Sequence, residues 1–286
     1  MSISKFMPLP DAIAEYVFDG ASVAFEGFSH LVPFAAAHET IRQRRQGLTL
    51  VRMTPDLIFD QMIGMGCADR VFFSYAGNPG VGLLRRMRDA VENAWPNPIE
   101  IREHSHAAFA NAYVAGASGL SFMVFRGYRG VDLPKFNPDI RTVRCPFGGE
   151  ELAAVRAINP DVAIIHAQRA DHAGNVLVEG VVGMQKEAVF AAERTVVTVE
   201  EIVEDLNSHP NACVLPGWLL DAVCVVPGGA HPSYAQGYYG RDNAAYREWN
   251  SISADRKTFL AWMKTHVLDQ TPDVFASRVL WPEDAA

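Results

Sequence analysis

The segment 103–106 (EHSH) holds the densest group of chemically active side chains in the sequence. A strand is predicted over 99–102 and a helix over 107–118, so the segment lies at a strand-to-helix corner, with Ser105 well suited to cap the helix. Glu103 is either a buried general base or a solvated, helix-capping carboxylate, and the sequence leaves both roles open. The corner is therefore a candidate for acid–base or carboxylate chemistry.

The two histidines of this corner, His104 and His106, would share one face of an extended chain with Arg102. No third histidine or acid follows at a spacing typical of zinc sites, and the four cysteines form no CxxC pair. We therefore expect no metal and no permanently bound cofactor. A cationic face of this kind suits a substrate carboxylate, which must be paired when it is buried. The preferred partners are Ser105 and His106, and the other candidates are Arg102, His104, His30 and Arg126.

Three other predicted strands end in loops of small residues. In open α/β sheets, ligands bind beyond the carboxyl ends of the strands, where loop amides can hold a phosphate or a developing oxyanion. Each loop is also consistent with a plain turn, because glycine supplies backbone freedom. The candidate binding residues in these loops are Gly27, Phe28, Ser29, His30, Gly77, Asn78, Gly228, Gly229, Ala230 and His231.

Short apolar runs alternate with amphipathic stretches along the chain, and several runs are continuously apolar, as in strands buried on both faces. Strands are predicted over 22–25, 48–53, 71–75, 99–102, 122–125, 162–166, 195–199 and 222–226, and helices over 11–18, 34–45, 81–94 and 255–268. This alternation predicts an α/β fold with an open, mainly parallel sheet and helices on both faces. Segment 131–146 reads as a loop-rich interruption, and 227–250 as a long irregular stretch.

The bulk composition narrows the classes of function. The 286 residues, 49% of them hydrophobic, are expected to form one domain over 1–286. A net charge of -8 argues against nucleic acid and anionic membranes as partners, because both require a basic surface. No run is long enough to span a membrane, and scattered cysteines suit a reducing compartment, so we expect a cytoplasmic protein. The arginines of the helix over 81–94 are expected to lie on a solvated face.

Several segments carry a resemblance to a known family. The Asp19-Gly20 turn, the apolar run 23–25 and Gly27-Phe28 resemble the N-terminal signature of the A subunits of class I coenzyme A transferases, although Glu26 replaces the first glycine of the family's Gly-Gly-Phe. Runs 161–168 (DVAIIHAQ), 197–202 (VTVEEI) and 227–233 (PGGAHPS) resemble the same subunits. More narrowly, 51–60 (VRMTPDLIFD), 103–119 (EHSHAAFANAYVAGASG) and 237–243 (GYYGRDN) are similar to the 3-oxoadipate enzymes of aromatic degradation.

The resemblance implies a fold, a reaction and a partner. The fold would be that of coenzyme A transferases, which is similar to the sugar-phosphate isomerase (NagB/RpiA-like) fold. The reaction would move coenzyme A from succinyl-CoA to 3-oxoadipate through a glutamyl-CoA thioester, with the nucleophilic glutamate on a B subunit. This chain would act only in a heteromer such as A2B2 or larger, and would supply the opposite wall of the pocket from the loops and the 103–106 corner.

Two alternatives stay open at the level of sequence. Relatives of these transferases include ring-opening CoA-thioester hydrolases and a decarboxylase, and Glu103 would be the base in a hydrolase of this kind. A non-catalytic sensor domain on the same fold would normally accompany a helix-turn-helix with a basic recognition helix. We do not expect this alternative, because no basic recognition helix is predicted before residue 11 or after residue 268.

Overall fold

The computed structural model describes residues 5–78, 80–208, 210 and 212–279. Its strands are β1 (Ser22–Glu26), β2 (Leu48–Val51), β3 (Ala68–Phe73), β4 (Glu100–Glu103), β5 (Phe122–Phe125), β6 (Ile140–Arg144), β7 (Glu151–Arg156), β8 (Val162–Asp171), β9 (Val176–Val178), β10 (Arg194–Val203), β11 (Cys213–Leu215) and β12 (Ala222–Val225). Its α-helices are α1 (Leu9–Tyr16), α2 (Phe34–Arg42), α3 (Leu57–Gly64), α4 (Arg85–Asn93), α5 (His106–Ala117), α6 (Leu133–Phe136), α7 (Gln185–Ala191), α8 (Asn243–Ile252) and α9 (Arg256–Met263). A π-helical turn (Lys264–Leu268) and two short 3-10 helices (Gly217–Leu219 and Pro272–Arg278) complete the described elements.

The main sheet is parallel across seven strands in the order β12-β10-β8-β1-β2-β3-β4. At the far end of β8, the short strand β9 pairs antiparallel with it, and β11 pairs antiparallel with β9. The prediction of an open, mainly parallel α/β sheet is confirmed. Because β1 lies near the middle of this order, its loop is flanked by strand ends on both sides.

Helices cover both faces of the sheet, as predicted. Val23 and Phe25 of β1 belong to a core that includes residues of α1, α2, α3, α4, α8 and α9. Ala24 belongs instead to a core with residues of α5 and α7. Alternate side chains of a strand enter opposite layers, so residues on both faces in the middle of β1 are buried, which explains the unbroken apolar run over 23–25.

A second, three-stranded antiparallel sheet has the order β5-β7-β6. Strand β5 was predicted, but it belongs to this small sheet and not to the main one. The expectation of a loop-rich interruption over 131–146 is wrong in part, since α6 and β6 lie within it. Strand β6 (IRTVR) is half-exposed and mostly polar, with burial concentrated at Ile140, so it lacks the apolar run that identifies the main strands.

The predicted irregular stretch over 227–250 is also wrong at its end, where α8 begins. Asp242 caps this helix by accepting a hydrogen bond from the Ala245 N–H at 2.9 Å. Tyr246, Trp249 and Ile252 are buried at the three-residue spacing of an amphipathic helix. The sequence therefore held the signal for α8, but the preceding glycines and tyrosines masked it.

The expectation of a solvated arginine face on α4 fails for one of its residues. Arg86 is 5% exposed and forms an ion pair with Asp89 at 2.9 Å. Arg256 of α9 also contacts Asp89, at 2.7 Å. This side of α4 therefore packs against the C-terminal helices, while Arg88 pairs with Glu92 at the surface.

Candidate functional site

The candidate residues lie beyond the carboxyl ends of four parallel strands. The loop 27–30 follows β1, residues 77–78 follow β3, the corner 103–106 begins at the end of β4, and residues 228–231 follow β12. In a parallel sheet these ends share one edge, which is where α/β proteins bind ligands. Neighbouring strands are about 4.8 Å apart, so β4 and β12 each end roughly 14 Å from β1.

The loop after β1 curls tightly back on itself. A Cβ added to Gly27 would lie 2.7 Å from the Leu31 carbonyl oxygen, so only glycine fits there. Ser29 and Leu31 both have a positive φ, 57° and 52°, in the left-handed region that costs a non-glycine residue roughly 1–2 kcal/mol. Such strain persists only where the surroundings over-determine the conformation, and it is concentrated at functional sites.

His30 is part of the scaffold of this loop. Its Nε2 accepts a hydrogen bond from the Gln236 N–H at 3.0 Å, so Nδ1 carries the proton and donates to the Val181 carbonyl at 3.1 Å. Burial lowers the pKa of His30, which favours the neutral ring. The expectation that His30 could pair with a substrate carboxylate does not fit this arrangement, because both ring nitrogens are engaged.

Arg52 fixes the start of this loop by hydrogen bonds to the Gly27 carbonyl. Its side chain is fully buried, and its Nε and Nη2 donate to the Gly27 carbonyl at 3.2 and 2.8 Å. The same guanidinium makes a two-pronged ion pair with Asp56, at 2.9 and 3.2 Å. Asp56 also caps α3, where its carboxylate accepts from the Ile58 N–H. A fork of this kind fixes both partners in one orientation.

Glu26, at the end of β1, is a buried acid. Its carboxylate accepts hydrogen bonds from the Tyr113 hydroxyl at 3.0 Å and from the Met53 N–H at 3.2 Å. Burial raises the pKa of Glu26 to about 7, although Arg52 and Tyr113 oppose the rise. Strand β1, the loop after β2 and helix α5 therefore meet at this one carboxyl group.

A second buried acid fixes the loop after β12. Glu200 Oε1 accepts from His166 Nε2 and from the Tyr239 hydroxyl, both at 2.6 Å, and its Oε2 accepts from the Gly228 N–H at 2.7 Å. The Tyr239 hydroxyl oxygen in turn accepts from the Ala230 N–H at 3.1 Å. The backbone of residues 228–230 is thus tied to the core from two sides.

The structure brings the loops after β1 and β12 together. The Ser233 hydroxyl donates to the Ser29 carbonyl at 3.1 Å, and the Leu31 N–H donates to the Tyr234 carbonyl at 2.9 Å. The Gly229 carbonyl accepts from the Ala35 N–H, at the start of α2. Two segments about 200 residues apart in sequence therefore form one continuous wall.

The other two segments have different neighbours. The Asn78 side chain is buried and its Nδ2 donates to the Tyr246 carbonyl of α8 at 2.9 Å, so this residue anchors α8. At the corner, the Ser105 N–H donates to the Tyr128 hydroxyl at 2.8 Å, and Asn137 Nδ2 donates to the Glu103 carbonyl at 2.6 Å. The corner is thus fixed by the small-sheet side of the molecule.

The side chains of the corner separate into exposed and buried ones. Strand β4 ends at Glu103, which is exposed in this chain, and its role as a solvated carboxylate or as a base stays a prediction. His106 is exposed as the first residue of α5, and the prediction that Ser105 caps this helix is confirmed by its bond from the Ala108 N–H at 3.2 Å. His104 is buried against Phe72 and Phe109.

The charges available for a substrate carboxylate are fewer than the sequence suggested. Burial lowers the pKa of His104 to about 4, so this ring is neutral near pH 7. Arg102 is paired with Glu100 on its own strand, and Arg126 with Glu150 at 2.5 Å. His106 keeps an exposed side chain that makes no hydrogen bond or ion pair with the residues the structure describes.

Other kinds of site find no support in the described ranges. No group of three or more His, Cys, Asp and Glu side chains is arranged to hold a metal ion in the part of the chain that the structure describes. Cys67 and Cys224 are buried thiols whose pKa burial raises to about 12. Each helix in these ranges is too short or too polar to cross a lipid bilayer.

A strand-end wall of loop amides suits an acyl group whose carbonyl oxygen gains charge during reaction. The family model for coenzyme A transferases matches residues 6–225 of the chain. This chain belongs to the coenzyme A transferase family. The resemblance noted in the sequence to the A subunits of class I enzymes is confirmed.

The chain is similar to several characterised members and solved structures. Over 265 residues it is 59% identical to the A subunit of 3-oxoadipate CoA-transferase from Pseudomonas knackmussii, covering 93% of this chain and 94% of that protein. Glutaconate coenzyme A-transferase from Acidaminococcus fermentans superposes with a TM-score of 0.89 at 31% identity, covering 96% and 92% of the two chains. The decarboxylase AibA/AibB superposes with a TM-score of 0.79 at 28% identity, covering 93% and 100%.

Sequence reasoning missed the buried residues that hold these strand-end loops in place. Glu26 was noted only as a departure from a glycine signature, and neither Arg52 nor Glu200 was selected. One signal was available: a charged residue at the carboxyl end of an otherwise apolar strand is unusual, since buried charges need partners. The partners themselves lie 26 to 87 residues from Glu26 in sequence, and only the fold identifies them.

Proposed function

We propose that this chain is the A subunit of a 3-oxoadipate coenzyme A transferase, which moves coenzyme A from succinyl-CoA to 3-oxoadipate together with a B subunit. The observation that carries the proposal is the 59% identity, which extends over nearly the whole of both proteins. Identity to the glutaconate enzyme and to the decarboxylase is about half as high.

In this proposal the B subunit provides the nucleophilic glutamate, which forms an acyl anhydride and then a glutamyl-CoA thioester, so that the thioester energy is conserved while water is excluded. The buried acids of this chain support that division of labour. Glu26 is held by Tyr113 and Met53, and Glu200 by His166, Tyr239 and Gly228. Both carboxylates are occupied in supporting the loops.

This chain would supply the wall that faces the nucleophile. The backbone amides of Phe28 and Ser29 would face the acyl oxygens, residues 228–230 would support that loop from behind, and Ser105 and His106 would recognise the distal carboxylate of the dicarboxylic acid. His106 is favoured because the other candidate cations are buried and neutral or already paired with carboxylates. Asn78 would act indirectly, by holding α8.

The test uses this chain and its B subunit, purified separately and then mixed. The formation of 3-oxoadipyl-CoA from succinyl-CoA and 3-oxoadipate is followed, and only the mixture should be active. Full activity of this chain alone would contradict the proposal. A mixture that hydrolyses the thioester without forming a new one would favour the hydrolase alternative, and one that releases carbon dioxide would favour the decarboxylase.

A further inference from the structure

We propose that Arg52 is a positioning residue for the transfer reaction: it fixes the orientation of the Gly27–Phe28 peptide and thereby aims the Phe28 N–H at an oxygen of the substrate. This inference rests on the proposed function, because a bound acyl group is what would use that N–H. Arg52 itself touches no substrate, since its side chain is fully buried.

The contacts of Arg52 leave it little freedom. Two of its N–H groups converge on the single carbonyl oxygen of Gly27, and two point to the two carboxylate oxygens of Asp56. Asp56 is immobilised in turn as the cap of α3. The planar guanidinium is bonded to Asp56 on one side and to the Gly27 carbonyl on the other, so it fixes the carbonyl relative to α3. A lysine has a single ammonium group and cannot make both sets of bonds in this geometry.

The orientation of the carbonyl sets that of the next amide. A trans peptide is planar, and its C=O and the following N–H point in opposite directions. Because the Gly27 oxygen points at the buried Arg52, the Phe28 N–H points away from it. Phe28 is 38% exposed, and neither the Phe28 nor the Ser29 N–H donates a backbone hydrogen bond within the described ranges.

The backbone strain of the loop explains why it needs the contact with Arg52. Ser29 and Leu31 both have a positive φ, a strained conformation that persists only where surrounding contacts hold it. Residues after β12 hold the far side of the loop, through Ser233 to the Ser29 carbonyl and Gln236 to His30. Arg52 is what holds the near side, at the first peptide after the strand.

A donor fixed before the substrate arrives stabilises developing negative charge on an acyl oxygen without reorganising during the reaction. If the Phe28 N–H lost its alignment, stabilisation of the transition state would fall more than binding of the substrate. We therefore expect kcat to fall while KM for succinyl-CoA changes little.

The main variant is Arg52→Lys, assayed as the complex with the B subunit. We expect kcat to fall about ten- to a hundredfold, with KM within about threefold of the wild-type value. Asp56→Asn keeps the helix cap, because asparagine caps as well as aspartate, but removes the charge that anchors the guanidinium. We expect it to show a smaller loss of kcat in the same direction.

Arg86→Lys is the matched control, because Arg86 is also buried and paired with an aspartate but lies on α4, away from the loop. It should lower the melting temperature comparably and leave kcat within about twofold. An equal loss of kcat in Arg86→Lys, or a kcat for Arg52→Lys close to that of the wild type, would overturn the proposal.

Hydrogen exchange of a peptide covering residues 26–34 separates this inference from the proposed function. Exchange should be about tenfold faster in Arg52→Lys than in the wild type or in Arg86→Lys, whatever substrate the enzyme uses. Unchanged exchange in Arg52→Lys would refute the role of Arg52 even in an active enzyme. A wild-type complex that transfers nothing, with faster exchange in Arg52→Lys, would instead contradict only the proposed function.

Discussion

The Glu26 carboxylate and the Tyr113 hydroxyl form a hydrogen bond of 3.0 Å between residues 87 positions apart. The bond joins the carboxyl end of β1, where the tight loop begins, to α5, whose first turn carries His106. Two of the candidate segments are therefore linked through one buried acid, although their side chains do not meet directly. This acid makes the stability of the chain dependent on pH.

Replacing Glu26 with glutamine should stabilise the protein more at pH 8 than at pH 5. The pKa of Glu26 is raised to about 7 in the folded chain, from 4.5. Below pH 4.5 the carboxyl group is mostly protonated in both the folded and the unfolded chain, so its ionisation costs little stability. The cost of ionising the buried group grows between pH 4.5 and about 7 and reaches roughly 3 kcal/mol above that range. Urea unfolding of both proteins at the two pH values measures the difference.

Glu92→Gln is the control for the loss of one negative charge, because Glu92 lies at the surface in an ion pair with Arg88. Its free energy of unfolding should differ from that of the wild type by similar amounts at both pH values. A benefit of Glu26→Gln that is equally large at pH 5 and pH 8 would show that Glu26 does not titrate as described.

Replacing Tyr239 with phenylalanine should destabilise the loop after β12. The change removes a donor to Glu200 and the acceptor for the Ala230 N–H in a buried setting, which costs about 1–3 kcal/mol. The neighbouring Tyr238 donates instead to the exposed Glu201, so Tyr238→Phe should cost well under half as much. Equal losses of stability in the two variants, measured by urea unfolding, would argue against a special role for Glu200.

Replacing His106 with alanine should change substrate selectivity and leave stability nearly intact, because the side chain is exposed. If the imidazolium pairs with the distal carboxylate, kcat/KM should fall about ten- to a hundredfold for 3-oxoadipate. A monocarboxylic acceptor of similar length should be affected much less. Comparable losses for the two acids would remove His106 from the recognition site.

Replacing Glu103 with glutamine should leave measurable transferase turnover, because the B subunit carries the proposed nucleophile while the Glu103 side chain is exposed in this chain. In the hydrolase alternative Glu103 is the base, and the same change would abolish nearly all activity. Turnover of succinyl-CoA by the complex with wild-type B subunit distinguishes these outcomes.

Local patterns in the sequence were enough to establish the class of fold. The apolar runs 23–25 of β1 and 162–165 of β8 are unbroken because both faces of these strands are covered, so that consecutive residues are buried. The helix cap at Ser105 and the turn at Gly27 involve residues only a few positions apart, so the sequence also predicted them. Antiparallel β6, half-exposed and polar, left no comparable pattern.

Only the tertiary structure decided which of these segments meet and which side chains remain available. Ser29 contacts Ser233, Arg52 contacts Gly27, and Glu26 contacts Tyr113, and each pairing follows from strand order and helix packing. The sequence assigned charges to Arg102, His104 and His30, but burial and partners determine whether a charge persists and where it points. The burial and the partners of a side chain depend on residues distant in sequence, so local sequence patterns do not reveal them.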